Sequence, residues 1–184
     1  MVLEIAKSRP VWQIMFSTHH TDVGLLYLIT SIAFLFMGGA LALAMRAELF
    51  LPGAQIIQDS MTFHRFFTVH GTTLIFLFIL PFAAAIGNYL VPIMVRYKDM
   101  AYPKLNAVAY WMIPVGAALI WLGFADFTWN AYPTYSILRA PGPAADMWIF
   151  GLKILGVSSI LGAINFIVTI LKCKHPDLPL SKVP

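Results

Sequence analysis

His70 stands in an apolar run, His70-Gly71-Thr72-Thr73-Leu74-Ile75-Phe76-Leu77-Phe78-Ile79-Leu80-Pro81. An ionisable side chain in such a run is costly in hydrocarbon and marks a functional site by default. Imidazole is a common axial ligand of haem iron. The competing reading is a neutral ring hydrogen-bonded to a neighbouring helix, and on His70 alone the two weigh about equally. Other polar side chains recur through the apolar stretches: Tyr27, Arg46, Asn88, Asn106, Ser158, Ser159 and Asn165, with Asp99 in a connecting segment. Singly, each asparagine or serine reads as interhelical glue worth about 1 kcal/mol or less.

The elements that must carry these residues are legible from hydropathy. Of 184 residues, 60% are hydrophobic and only 20 carry formal charge (12 basic, 8 acidic), a composition that fits a membrane protein. Four runs are long enough to cross a ~30 Å hydrocarbon core as helices: Val23–Met45, Phe66–Val95, Leu105–Ala125 and Met147–Leu171. Barrel strands would instead show short alternating segments. The reading is one all-α membrane unit of four transmembrane helices. Asp22 and Asp146 stand just before two runs and are expected to cap them. Pro81 and Pro92 should kink the second helix. Pro10 and Trp12 suggest a short interfacial segment before the first span, and Pro133, Pro141, Gly142 and Pro143 an ordered outer turn region.

Basic residues set the expected orientation. Lys7, Arg9, Arg96, Lys98, Lys104, Lys172, Lys174 and Lys182 fall on one side, and Arg46, Arg65 and Arg139 on the other. Eight against three puts both termini inside. The sequence pI of about 9.3 follows from this topology, and no basic patch with interleaved aromatics suggests nucleic acid. Cys173 is the single cysteine, which excludes an internal disulfide and thiolate metal clusters.

A helix rises ~1.5 Å per residue, so chain position converts to depth. On that scale His70 lies about 12 Å in from Thr62, and Asn88 about 27 Å further down the same helix. Arg46 and His70 form an outer set. Asp99, Asn88, Asn106, Tyr27 and Asn165 form an inner one, with Ser158 two turns above Asn165 on the same face. Three asparagines at one depth beside an aspartate make a water-filled proton or ion entrance as good a reading as glue.

These residues also carry a resemblance. Tyr27-Leu28, Met45-Arg46-Ala47-Glu48-Leu49 with Pro52-Gly53, His70-Gly71, Gly87-Asn88-Tyr89 with Val91-Pro92, Asp99 through Asn106, Trp129 with Tyr132-Pro133, and Ser158 through Phe166 occur in order. Over about residues 16–184 the chain resembles the N-terminal third of haem–copper oxidase subunit I, the catalytic subunit of cytochrome c oxidase. The resemblance implies a place within a larger twelve-helix bundle. It implies that His70 is an axial ligand of a low-spin haem, with haem a the expected type. Arg46 would contact a haem substituent, Trp129 would lie near the propionates, and Glu48 would serve an outer cation site. Asp99 would open the D-type proton path, followed by Asn88, Asn106 and Asn165, with Tyr27, Ser158 and Ser159 along it.

Two departures follow. Lys153 falls inside the fourth run where relatives usually carry histidine, so its ammonium must pair or snorkel outward. The second axial histidine, the high-spin haem ligand and the copper histidines belong to later helices of the family; His19, His20, His64 and His175 sit at or beyond span ends, and only His20 matches a family position. The high-spin haem and copper are therefore expected on a companion polypeptide, in a split or truncated subunit I. The implied partners are that companion, oxidase subunits II and III, and cytochrome c or quinol as electron donor. The implied site is a bacterial or archaeal plasma membrane or the mitochondrial inner membrane. Two other readings stand beside this one: a membrane haem electron carrier without oxygen chemistry, and a redox-inert assembly or scaffold protein.

Overall fold

The computed structural model describes residues 10–124, 129 and 142–183. Most of the predicted outer turn region, including Tyr132, Pro133 and Arg139, lies outside the described residues, as do Lys7 and Arg9. Among the described residues the chain is helical throughout, without a strand.

A short helix α1 (Val11–Met15) precedes the first long one, α2 (His20–Glu48). The second long segment is composite: α3 (Ser60–Thr72), a π-helical stretch (Thr73–Ile79) and α4 (Leu80–Met94). Then come α5 (Pro103–Gly123) and α6 (Pro143–Lys172), and a single 3-10 turn at Leu180–Lys182. All four long segments are apolar enough to cross a membrane, and large side chains such as Phe36, Leu43 and Leu122 remain more than 70% exposed, as a lipid-facing surface requires. The chain is a multi-pass membrane protein.

The caps differ from expectation. Asp22 and Asp146 lie inside the first turns of α2 and α6, where they complement the helix dipole without capping. His19 caps α2 by accepting from the Thr21 N–H, and Gly142 holds the N-cap of α6 with no side-chain bond. The start of α3 is capped by Asp59, whose carboxylate accepts from Thr62 N at 2.8 Å and from the Thr62 hydroxyl at 2.7 Å. The disturbance that Pro81 demands is absorbed upstream. Without an N–H to close the regular ladder, the backbone before it widens into the π stretch, and the helix continues through Pro81.

Close packing fixes the bundle. A Cβ on Gly116 would lie 3.0 Å from the Gly151 carbonyl oxygen, and one on Gly151 would lie 2.8 Å from the Gly116 carbonyl oxygen. These two glycines let α5 and α6 meet backbone to backbone. Val23, Tyr27, Leu77, Tyr110, Ile113 and Leu155 fill the shared core. The connection after α4 and the segment after α6 meet at one end of the bundle, where His175 N donates to Val95 O at 2.9 Å; this is called the Asp99 end below.

Candidate functional site

The structure gathers the polar residues into two clusters at different depths. The first surrounds His70. Its Nδ1 lies 2.9 Å from the Gly38 carbonyl oxygen of α2. A carbonyl only accepts, so Nδ1 carries the proton, and in the neutral ring Nε2 keeps its lone pair. This is the arrangement by which a protein orients a metal-ligating imidazole and fixes its tautomer. Gly38 also lets α2 pass close to the π stretch: a Cβ there would come 2.8 Å from Leu74 Cδ2 and 3.2 Å from Thr73 Cγ2.

Neighbours stiffen this segment. The Thr72 hydroxyl donates to Thr68 O at 2.6 Å and accepts from Trp148 Nε1 at 3.0 Å, tying α3 to α6. Thr73, the residue that opens the π stretch, is fully buried, and its hydroxyl has no partner among the described residues. Trp129 lies beside Gly71, with Cε3 3.8 Å from where a Cβ would stand, and its ring is 6.3 Å from Phe76. Arg46 lies in the last turn of α2, two turns and so ~12 Å beyond Gly38, with its side chain exposed. A half-buried imidazole held by its Nδ1, with a guanidinium and an indole at the same end of the bundle, has the donor set that would fit a haem as axial ligand and periphery.

Glu48, expected at an outer cation site, has both carboxylate oxygens engaged by backbone donors. Oε1 accepts from Gln55 N at 3.0 Å, and Oε2 from Ile56 N and from Ile57 N at 2.7 Å. Partial positive charges already surround this buried carboxylate, so its observed work is to fasten the loop after α2. Among the described residues no group of three or more His, Cys, Asp or Glu side chains could hold a metal ion. Lys153 is exposed, with Nζ 5.5 Å from the centroid of the Phe150 ring one turn nearer the start of α6. The side chain lies along its own helix toward the start of α6, its ammonium over the ring face.

The second cluster lies at the Asp99 end. Asp99 Oδ1 accepts from His20 N at 3.1 Å and from Met100 N at 2.8 Å. The buried His20 ring donates from Nδ1 to Asn88 O at 2.8 Å. The Asn88 amide oxygen accepts from Asn106 Nδ2, while Asn88 Nδ2 donates to Ala84 O at 2.9 Å. Asn88 and Asn106 are each 1% exposed, so this amide pair is a desolvated polar contact in the bundle interior.

Asn165 does not join that pair. It clamps the connecting segment instead, accepting from Tyr102 N at 2.9 Å and donating to Tyr102 O at 3.3 Å. Thr169, one turn along α6, accepts from Ala101 N at 2.9 Å. Farther from this end, the Ser158 hydroxyl donates to Ala109 O at 2.6 Å and faces the Tyr27 hydroxyl. Tyr27, Ser158 and Ser159 line a cleft of about 420 Å³ together with Pro81, Gly87 and Phe166.

Sequence reasoning missed Gly38 and Thr169, and noted His20 as a family position without giving it a role. Thr169 had a signal, since it follows Asn165 by four residues on one helical face. Gly38 had none, because a carbonyl is invisible in a side-chain pattern.

Four apolar spans with a half-buried histidine toward one end and an amide–carboxylate cluster at the other define a multi-pass helical membrane protein with polar groups held inside its bundle. The family model described as Cytochrome C and Quinol oxidase polypeptide I matches residues 22–184, and the chain belongs to that family. It is 44% identical over 173 residues to cytochrome c oxidase subunit 1 of Synechocystis sp., a match covering 92% of this chain and 31% of the relative. It is 37% identical over 185 residues to cytochrome c oxidase subunit 1 of Corynebacterium efficiens, covering 97% and 32%. Identity to the same subunit of Thermostichus vulcanus is 41% over 174 residues, covering 92% and 31%. The chain thus spans about a third of the length of the curated relatives it matches.

Proposed function

We propose that the chain works as part of the oxygen-reducing subunit I of a haem–copper oxidase. In this reading it supplies one axial ligand of the low-spin haem and the entrance of the proton path. The observation that carries the proposal is the Nδ1–Gly38 hydrogen bond, which leaves His70 Nε2 as an oriented, unprotonated donor. Arg46 and Trp129 would contact the edge of the group. Bound there, the haem would supply one-electron transfer, with haem a the type expected. The second axial ligand, the high-spin haem and the copper would come with the remaining helices of a twelve-helix subunit I.

This chain's own groups support the proton-path reading. Asp99 Oδ1 is occupied by two N–H donors, which leaves Oδ2 to take a proton from water at the membrane face. The Asn88–Asn106 pair stands just inside, and the cleft lined by Tyr27, Ser158 and Ser159 offers room for water beyond it. The Asp99 end bears most of the positive charge and is assigned to the inside of a bacterial, archaeal or mitochondrial inner membrane, so both termini face in. Oxidase subunits II and III and a cytochrome c or quinol donor complete the assembly. A simple membrane electron carrier would leave the buried amide pair without a use.

Replacing His70 with alanine in the purified complex tests the assignment. Loss of the low-spin haem band with Arg46, Asp99 and the rest of the chain intact is the expected result. An unchanged low-spin spectrum would refute it.

A further inference from the structure

A groove of about 650 Å³ runs along the outer side of α5 from the Asp99 end. We propose that it binds an anionic phospholipid, the phosphate at Lys104 and Ser17 and one acyl chain laid along α5. The groove is chemically graded. Ser17, Thr18 and Lys104 stand at its mouth, and Val108, Trp111, Val115 and Ile154 line its depth. Lys104, Val108, Trp111 and Val115 recur at helical spacing, so they share one face of α5.

The dimensions suit a lipid leaflet. From Lys104 to Val115 is eleven residues of α5, or ~16 Å, about half of a ~30 Å hydrocarbon core. The mouth also lies at headgroup level. Helix α1 and the residue after it expose Val11, Trp12 and Phe16 by 62–73%, as interfacial anchors do, and Phe16 stacks on Trp111 with centroids 6.0 Å apart.

Charge decides between a lipid and a covering protein helix. A second transmembrane helix laid in the groove would have to desolvate the exposed Lys104 ammonium. A phosphodiester at the same height would neutralise it, in the manner of basic pockets that hold lipid headgroups. Lys104 makes no ion pair with any described residue.

The test uses the purified oxidase complex in nanodiscs with photoactivatable phosphatidylglycerol or phosphatidylcholine, cross-links being mapped on α5. Phosphatidylglycerol should label the peptide bearing Val108 and Trp111, and Lys104→Gln should lower that labelling about fivefold. Phosphatidylcholine labelling should stay the same in both proteins. Val108→Trp, which fills the groove, should remove labelling by either lipid. The haem spectrum of each variant reports whether the complex is intact. Equal labelling by the two lipids in the unmodified complex, or no response to Lys104→Gln, overturns the proposal. So does the absence of lipid labelling together with a Lys104 cross-link to another polypeptide, which would give the groove to a protein partner.

Discussion

Pro92 brings no N–H to the Asn88 carbonyl one turn before it, and that carbonyl accepts instead from His20 Nδ1 at 2.8 Å. A missing donor in the second span thereby fastens the first span to it. The same histidine donates its backbone N–H to Asp99, so two spans and a connecting segment meet at one residue.

Asp99→Asn is the sharpest test of the inner cluster. The amide keeps an oxygen to accept from His20 N and Met100 N, so the connection stays folded. It cannot ionise. Oxygen turnover and proton uptake should fall roughly tenfold or more, with haem content near normal. If Asp99 served only as a surface charge, an arrangement worth about 0–1 kcal/mol, both would stay near the parent values in stopped-flow uptake.

Gly151→Ala should destabilise the bundle by about 1–3 kcal/mol, because the new methyl meets the Gly116 carbonyl oxygen at 2.8 Å, and backbone cannot step aside as a side chain can. Gly162→Ala on the same helix meets nothing within 4 Å and should change stability by no more than about 0.5 kcal/mol. Denaturation midpoints of the two purified variants, compared side by side, check the contrast.

Asn165→Leu should free the segment after Asp99 without moving α6. Both bonds to Tyr102 are lost, and amide exchange at Tyr102 should quicken roughly tenfold. Unaltered exchange would show that the clamp is not made in the membrane.

Acid should loosen the start of α3 late. The Thr62 hydroxyl, and then its N–H, hold the Asp59 carboxyl below its ordinary 3.8. A depressed folded value means the cap's contribution is present above the unfolded pKa and is lost as pH falls through the lower, folded one. Hydrogen exchange in the first turn of α3 should therefore stay slow at pH 5 and rise only below about pH 4. Asp59→Asn should remove the dependence.

Hydropathy made the four spans and their order legible, because lipid-facing surface must be apolar whatever the sequence detail. The helices themselves begin three to six residues, or two in α5, before the apolar runs. The start of α3, Ser60 to Arg65, interleaves four polar residues with Met61 and Phe63 and was invisible to an apolar-run criterion, whereas the Asp59 cap needed only its own carboxylate. Depth along the chain correctly separated the His70 level from the Asp99 level. It could not tell that Asn165 points to backbone while Asn88 and Asn106 point to each other, since both faces lie within one turn. The three backbone N–H groups on Glu48 were illegible for a related reason: a carboxylate at a helix end looks the same in sequence with or without them.

The π stretch between Thr73 and Ile79 makes the two ends of the second span a matched pair. It winds more residues into each turn than the α-helix above and below it, so the span carries a surplus of chain for its height. Were the same residues wound as ordinary α-helix, everything beyond them would swing by roughly a third of a turn about the helix axis. Asn88 would turn from Asn106 while His70 still faced Gly38. The count of residues in that stretch, more than their identity, is what keeps one end of the molecule in phase with the other.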